Sequence, residues 1–370
     1  MRRKILFVVN VDWFFISHRL PLALEALKRG YEVHIACGIT DKKEYLESLG
    51  LIVHPLNLSR SGTGIKGEIK AFCEIYNLVK EINPNIAHFV TIKPVLYGGI
   101  TSRFLSIHNK VFSISGLGFI FIKQGLKATL VRMLIKTMYK FALDGKNSHV
   151  IVQNPDDKAV VNSIVKVPIT LIRGSGVDLS QYEYNEEKNE NIKVSMACRL
   201  LKDKGVFDYI DAAKILKQKL PNVEFELYGD IDIHNPASLT SDDVEKIKKD
   251  GFVNVYGFSS DIEKVFCDSN IIVLPSYREG LPKVLIEAAA CGRAVVTTDV
   301  PGCRDAIEPN ITGLLCAVKD TESLASTIEK LILDNKLRNS MGTAGRELAQ
   351  KEFDIKKVIE KHFEIYEGKL

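Results

Sequence analysis

The feature that most constrains this chain is an alternation that runs along it twice. Short runs rich in Val and Ile, apolar at consecutive positions, take turns with longer segments whose apolar residues recur at helical spacing. In the first pass the apolar runs are KILFVVN, YEVHIAC, LIVHPLN, IAHFV and KVFSIS, and the helix-period segments lie at 17–29, 41–49, 66–82 and 94–106. HVIVQN, a helix around 156–163 and ITLIRG, within 149–172, complete that half. A strand that is apolar on both faces must be covered on both, which calls for a parallel sheet between layers of helices. NEEKNENIK at 185–193 is highly charged and reads as a surface linker. The alternation then restarts with VSMAC, a helix at 205–219, VEFELYG, VNVYGF, a helix at 260–267, IIVLPS, a helix after REGLP, AVVTTD and GLLCAV. Helices at 321–333, 335–350 and 354–368 close the chain. The expectation is an α/β protein of two Rossmann-like parallel-sheet domains, 1–174 and 175–352, facing across a cleft, with 353–370 a helix crossing back to the first domain.

Composition narrows the function classes. With 50 Lys and Arg against 46 Asp and Glu, the net charge of +4 is too small to suggest a nucleic-acid partner. The 7 cysteines are scattered and form no CxxC pair, so neither zinc nor a disulfide framework is indicated, and a reducing compartment follows. Asp12 interrupts the apolar N-terminus after a short run, which makes it a first strand rather than a leader. No window offers the roughly 18 uninterrupted apolar residues of a membrane-spanning helix.

The chemistry is concentrated at 278–296, REGLPKVLIEAAACGRAVV. Pro282 suits a helix start and Gly292 a C-terminal cap, so 283–291 is expected to be helical, with Glu279, Gly280 and Leu281 in the loop ahead. In an open α/β sheet, ligands bind at the carboxyl ends of strands, and the free amides of a helix start favour an anion there. Glu287 is the one carboxylate in an otherwise apolar helix and is costly there without firm partners. One reading pairs it with Lys283 one turn earlier, a weak interaction in that order. The other gives it the vicinal hydroxyls of a ribose, and a carboxylate satisfied by neighbouring protein atoms would count against that role.

Glu279 and Glu287 form an E-x7-E pair, with ACRLLKDKG upstream and PGCRDAI and TGLL downstream. Over about 120 residues this order resembles the retaining glycosyltransferases of family four (GT4), which have the GT-B fold. The resemblance implies that Glu287 binds the ribose of a UDP-sugar, that Glu279 contacts the donor hexose, and that Arg199 and Lys204 hold the diphosphate, with Gly280, Leu281 and Pro282 lining the donor site. Fixed cations aimed at a departing diphosphate stabilise the transition state more than the ground state. Asp230, Asp232 and His234 offer oxygen and imidazole donors at metal-ligand spacing, but they are read as a surface loop, and no metal or cofactor is expected.

In the first half, DWFFISHRLP carries no glycine, which excludes the dinucleotide fingerprint and departs from the glycine pair many family-four members have there. His18 and Arg19 are expected at the start of a helix capped by Ser17. With HFVTIKP and SGLGF, this loop resembles bacterial enzymes that extend a polyprenyl-diphosphate-linked sugar during O-antigen or glycan assembly, commonly from UDP-N-acetylhexosamines. The resemblance implies acceptor contacts from Asp12, His18, Arg19, Lys93, Ser115, Gly116 and Gly118. Separately, 119–146 carries Lys123, Lys127, Arg132, Lys136, Lys140 and Lys146 against one acid, Asp144, with Leu126, Leu130, Met133, Leu134 and Met138 as an apolar face. Such a helix can lie on an anionic membrane surface, or can be an ordinary surface helix turned to the core.

The sequence therefore leads to a cytoplasmic, metal-independent hexosyltransferase or N-acetylhexosaminyltransferase attached peripherally to the inner face of the bacterial membrane. Its expected partners are a UDP-sugar, a polyprenyl-diphosphate-linked acceptor and the membrane surface, with no nucleic acid. A UDP-sugar 2-epimerase of similar architecture and a non-catalytic nucleotide-sugar-binding protein are the competing readings.

Overall fold

A computed structural model describes residues 2–58, 64–117, 126–187, 191–233 and 235–370, with the backbone alone for 65 and 126–132. The chain divides into two compact units, Met1–Ser175 with Lys356–Leu370, and Gly176–Ile355.

The first unit is built on β1 (Lys4–Val11), β2 (Glu32–Gly38), β3 (Ile52–Pro55), β4 (Ile86–Val90), β5 (Asn109–Ile114), β6 (Ser148–Val152) and β7 (Ile169–Leu171). Among the described residues they form one seven-stranded sheet in the order β3-β2-β1-β4-β5-β6-β7, with every pairing parallel. Side-chain alternation along β1 shows why the run is apolar throughout. Ile5, Phe7 and Val9 pack into one core layer, while Leu6 and Val8 pack into the layer on the opposite face. The covering helices are α1 (Asp12–His18), α2 (Leu20–Lys28), α3 (Lys43–Ser48), α4 (Ile65–Ile82), α5 (Ile92–Phe104), α6 (Leu126–Leu143) and α7 (Pro155–Asn162). Asn154 caps α7 by accepting from Asp157 N at 2.7 Å.

The second unit repeats the plan with β8 (Lys193–Ala197), β9 (Glu224–Tyr228), β10 (Asn254–Gly257), β11 (Ile271–Leu274), β12 (Ala294–Thr298) and β13 (Gly313–Cys316), all parallel in the order β10-β9-β8-β11-β12-β13. Its helices are α8 (Val206–Lys219), α9 (Ser241–Asp250), α10 (Ile262–Asp268), α11 (Lys283–Ala290), α12 (Thr321–Leu333) and α13 (Asn335–Leu348). The chain enters this unit at Gly176 and leaves it at Ile355, and the two ends run side by side, with Val177 N donating to Phe353 O at 2.8 Å and Ile355 N to Val177 O at 3.0 Å. The last helix, α14 (Ile355–Tyr366), buries Val358, His362, Phe363, Ile365 and Tyr366.

Three expectations are corrected here. Ser17 lies inside α1 and caps nothing: α1 ends at His18, and Arg19 is the junction to α2. The charged run read as a surface linker is exposed at Asn185, Glu186 and Asn191 but pinned at Glu187, whose side chain is buried against Asn270 and Arg338, with Arg338 Nε donating at 2.5 Å. An isolated buried cation would be costly, so the pairing explains why a charged segment folds down onto α13. Helix α9 was not anticipated between the second and third strands of this half, although Thr240 and Asp243 form a capping box at its start.

Candidate functional site

In both sheets the strand order reverses between the first strand and its fourth-in-sequence neighbour, which is where open α/β sheets bind ligands. In the second unit this point lies between β8 and β11, and the loops leaving those two strands carry Arg199, Lys204 and Glu279. The structure brings Lys204 and Glu279 into a direct ion pair, with side chains 17% and 13% exposed. Ser276 Oγ donates to the same carboxylate at 2.8 Å. Burial disfavours the Lys204 charge, and Glu279 more than offsets it, so the ammonium is held above its ordinary pKa. Arg199 is more open and pairs through Nη1 with Asp232 at 2.9 Å, so the acid once considered as a metal ligand is engaged by an arginine. His234 lies outside the described residues. Among those described, no group of three or more His, Cys, Asp or Glu is placed to hold a metal ion.

Backbone contacts lock these loops to each other. Gly205 adopts φ +74 ahead of α8, and a Cβ there would collide with the Pro275 carbonyl. Gly302, at φ +83 beyond β12, lies as tightly on the carbonyls of Glu279 and Gly280. Tyr277 N donates to Asp203 O at 2.9 Å and Glu279 N to Pro301 O at 3.3 Å. Three loops thus fix the Glu279 backbone, and only glycine lets them approach this closely. The thiols of Cys198 and Cys303 nearby are pushed up to about 12, chiefly by burial, and stay protonated.

Helix α11 begins at Lys283 after Pro282, and Gly292 follows Cys291 at φ +73, as the sequence indicates. Gly280, Leu281 and Pro282 are buried in the entry to the helix. Glu287 is 6% exposed and receives two hydrogen bonds, from the Tyr182 hydroxyl at 2.7 Å and Lys283 Nζ at 2.6 Å. Lys283 therefore does pair with it, and Tyr182, which the sequence did not single out, supplies the second partner. Both donors go to Oε1, and no described residue gives Oε2 a hydrogen bond. Burial, and then the Glu287 charge, raise the Tyr182 pKa, so this hydroxyl remains a donor.

The corresponding point in the first unit lies between β1 and β4. Asp12 is fully buried and accepts from Trp13 N at 2.8 Å, Thr40 N at 2.7 Å, Thr40 Oγ1 at 2.9 Å and Lys42 N at 3.2 Å, so it ties the loop after β2 to the start of α1. His18 stacks on Phe14 at 4.1 Å between ring centroids. Arg19 is 3% exposed, donates to His18 O at 2.8 Å, and has its pKa lowered to about 10 by burial, with Tyr366 opposing. Beside it His88 shares hydrogen bonds of 2.6 Å with Tyr366 and with Ser113. Burial and then Arg19 hold His88 well below its ordinary value and bring His362 to about 3. Lys93, in the first turn of α5, pairs with Glu68 at 2.7 Å. Ser115 and Gly116 follow β5, and Gly118 lies outside the described residues.

Helix α6 spans part of the basic amphipathic segment. Tyr139, Ala142 and Leu143 turn into the core, whereas Met133 and Leu134 are 62% and 61% exposed beside exposed Lys136 and Lys140. The core-facing stripe is thus offset from the predicted apolar face. Lys123 and 119–121 lie outside the described residues, and no side-chain statement extends to 126–132.

Comparison with known proteins identifies the class. Residues 180–348 match the family model described as Glycosyl transferases group 1, and residues 4–154 match the one described as Glycosyl transferase 4-like. The chain belongs to the glycosyltransferases that combine these two domains, has the GT-B fold, and is a hexosyltransferase. Among its relatives is the N,N'-diacetylbacillosaminyl-diphospho-undecaprenol alpha-1,3-N-acetylgalactosaminyltransferase of Campylobacter jejuni, 29% identical over 95% of this chain and 97% of that protein. Another is the UDP-Gal:alpha-D-GlcNAc-diphosphoundecaprenol alpha-1,3-galactosyltransferase of Escherichia coli, 22% identical over 81% of this chain and 79% of the relative. The solved structure of Anabaena Alr3699/HepE in complex with UDP-glucose superposes with a TM-score of 0.74 at 18% identity, covering 99% of each chain.

Proposed function

We propose that this protein transfers a sugar, an N-acetylhexosamine, from UDP to an undecaprenyl-diphosphate-linked saccharide with retention of configuration, in the assembly of a bacterial surface polysaccharide. The observation that carries the reading is the buried Lys204–Glu279 pair, with Arg199 on the same loop, at the strand-order reversal of the second sheet. Two relatives that span most of the chain are named for undecaprenyl-diphosphate-linked sugars, and one of them for a UDP-sugar donor.

In this reading Lys204 and Arg199 hold the diphosphate, and their charge counts most as the anomeric carbon–oxygen bond breaks and negative charge collects on the departing phosphate. Glu279, fixed by Ser276 and Lys204, positions the donor hexose. Glu287 meets the ribose through Oε2 while Tyr182 and Lys283 hold Oε1. The acceptor hydroxyl forms the new bond on the face that UDP leaves, and its proton passes to the leaving phosphate oxygen. Asp12, His18, Arg19, Lys93, Ser115, Gly116 and Gly118 belong to the acceptor side. Asp12 and Arg19 act there by shaping the loop, since the first has four protein donors and the second is buried.

Peripheral attachment to the inner face of the cytoplasmic membrane is part of the same proposal. Met133, Leu134 and Phe141 are exposed on α6 next to Lys136 and Lys140, an apolar and basic surface suited to anionic lipid. Among the described residues no helix is long and apolar enough to cross a membrane.

The test is a panel of UDP-sugars with a short synthetic polyprenyl-diphosphate sugar, the product being analysed for mass, linkage and anomeric configuration. Transfer with inversion removes the retention claim. Appearance of a 2-epimer from UDP-sugar alone, without acceptor, removes the transferase reading. Co-flotation with vesicles containing an anionic phospholipid but not with purely zwitterionic ones supports the attachment, and equal behaviour with both ends it.

A further inference from the structure

Three buried oxygens without a hydrogen-bond partner stand at the carboxyl edge of the first sheet: Asn10 Oδ1, Thr91 Oγ1 and Ser115 Oγ. Asn10 lies near the end of β1, and Thr91 and Ser115 directly follow β4 and β5. The parallel β1–β4 register runs to Val8↔Phe89, and Asn10 and Thr91 each lie two residues beyond that pair, Asn10 within an irregularity of β1 between Val8 and Val11. Thr91 N donates to Ser113 O at 3.3 Å, and Ser115 comes two residues later, just past the end of β5. The three residues therefore lie at adjoining strand ends around the β1/β4 reversal of strand order, the ligand position of this sheet type. Of the three, the sequence had drawn attention only to Ser115.

Thr91 adds a second, independent observation. Its backbone has φ 75 and ψ 165. That region is essentially reserved for glycine, and a β-branched residue in it is strained. Such strain persists only where the surrounding structure enforces it, and it is concentrated at functional sites. Buried polar atoms are ordinarily hydrogen-bonded, so three unsatisfied oxygens together mark a place where something else completes the set.

The chemistry of that something can be narrowed. All three oxygens are uncharged, and Asn10 Oδ1 can only accept. A phosphate, which brings acceptors alone, could take the two hydroxyls but would leave Asn10 Oδ1 unpaired. The ammonium nearest in sequence, Lys93, is committed to Glu68. A ligand dense in neutral donors fits: sugar hydroxyls, or the N–H of an acetamido group.

We propose that Asn10, Thr91 and Ser115 form the subsite that reads the hydroxyl and acetamido pattern of the acceptor's sugar, and that Thr91 is held in its strained backbone for that purpose. The inference rests on the transferase reading above. Selection here is strong in principle, because an analogue lacking the recognised hydroxyl leaves a buried polar group unpaired.

The experiment compares wild type with Thr91→Val, Thr91→Gly and Ser115→Ala, measuring kcat and both KM values against the short polyprenyl-diphosphate sugar and its singly deoxygenated analogues. Thr91→Val, which keeps the shape and removes the hydroxyl, is expected to raise the acceptor KM at least fivefold while the UDP-sugar KM stays within twofold. One deoxygenated acceptor is expected to cost the wild type a similar factor and to cost Thr91→Val nothing further. Thr91→Gly is expected to unfold no earlier than wild type, since it relieves strain, yet to show the same acceptor defect. Acceptor KM within twofold of wild type in both Thr91→Val and Ser115→Ala overturns the proposal and leaves the oxygens as water sites. If the wild type transfers nothing to any acceptor, it is the transferase reading that fails. The subsite is then judged by equilibrium binding of the same saccharide, where a fivefold weakening in Thr91→Val upholds it and unchanged or absent binding overturns it.

Discussion

The carboxyl edges of the two sheets share one strand order and solve opposite problems. In the second unit three cations at the edge are each held by a carboxylate: Lys204 meets Glu279, Arg199 meets Asp232, and Lys283 meets Glu287. In the first unit the edge carries three unsatisfied oxygens and a strained threonine between the backbone-held carboxylate of Asp12 and the Lys93–Glu68 pair, and nearby lies a buried basic group, Arg19, beside which His88 and His362 have depressed pKa values. A site for a diphosphate has to have its charges fixed in advance, because reorganising them during bond cleavage would raise the barrier. A site for a sugar ring does its work by leaving specific hydrogen bonds unmade until the right hydroxyls arrive.

The comparison can be broken most severely at the ion pair. Lys204→Met or Glu279→Gln is expected to lower kcat for transfer by about 100- to 1000-fold, while UDP affinity falls far less. Steady-state kinetics alongside calorimetric UDP binding checks this, and equal losses in rate and affinity would make the pair a simple binding element. Next come the glycines that hold the second edge rigid. Gly205→Ala and Gly302→Ala each force a Cβ into a neighbouring carbonyl at positive φ. Each is expected to destabilise the protein by about 1–3 kcal/mol, read from the midpoint of denaturant unfolding. Gly302→Ala also displaces Glu279, so it should lose activity at temperatures where it is still folded.

The buried histidines of the first unit give a pH signature that the second edge lacks. With their folded-state pKa values depressed, His88 and His362 bind protons more weakly in the folded chain than in the unfolded one. Their neutral forms are fully accommodated above about pH 6.5, and stability falls as the pH drops below it, by about 1.4 kcal/mol per pH unit for each histidine. For His362 the loss continues towards pH 3, its folded value. Trp13 is the only tryptophan and lies in the first unit, so its fluorescence during urea unfolding at pH 7.5, 6.5 and 5.5 measures the slope there. His362→Gln should lower the slope by about one histidine's share, with His88, His54 and His149, whose pKa values burial also lowers, supplying the rest. The smallest effect is expected from Lys283→Met, which removes one of two donors to Oε1 of Glu287 and should change stability by under about 1 kcal/mol. A shift in UDP affinity in this variant would show that Glu287 had been tuned by its neighbour for the ribose.

Much of this was legible in the residues. Apolar runs of strand length rich in Val and Ile, alternating with helix-period segments, read as doubly covered strands, so both parallel sheets follow from that alternation. Pro282 and Gly292 delimit α11 because one cannot donate in the first turn and the other tolerates positive φ. The E-x7-E spacing, with the motifs around it, announced the family.

Other features were not legible because they depend on residues distant in the chain. Tyr182 and Glu287 are 105 positions apart, and Glu187 meets Arg338 across 151, so no local pattern could show that the first carboxylate has a phenol partner or that a charged linker is pinned down. Thr91 looks like any polar residue after a strand, since φ is written in no side chain, and only the folded backbone reveals that it occupies a glycine's conformation. The sequence determined which segments are strands, which helices cover them and which edge of each sheet carries chemistry, because these follow from periodicity and from what each residue can do by itself. Tertiary structure alone decided which charges are neutralised and which polar atoms are left waiting, because satisfaction is a property of pairs that only the packed chain brings together.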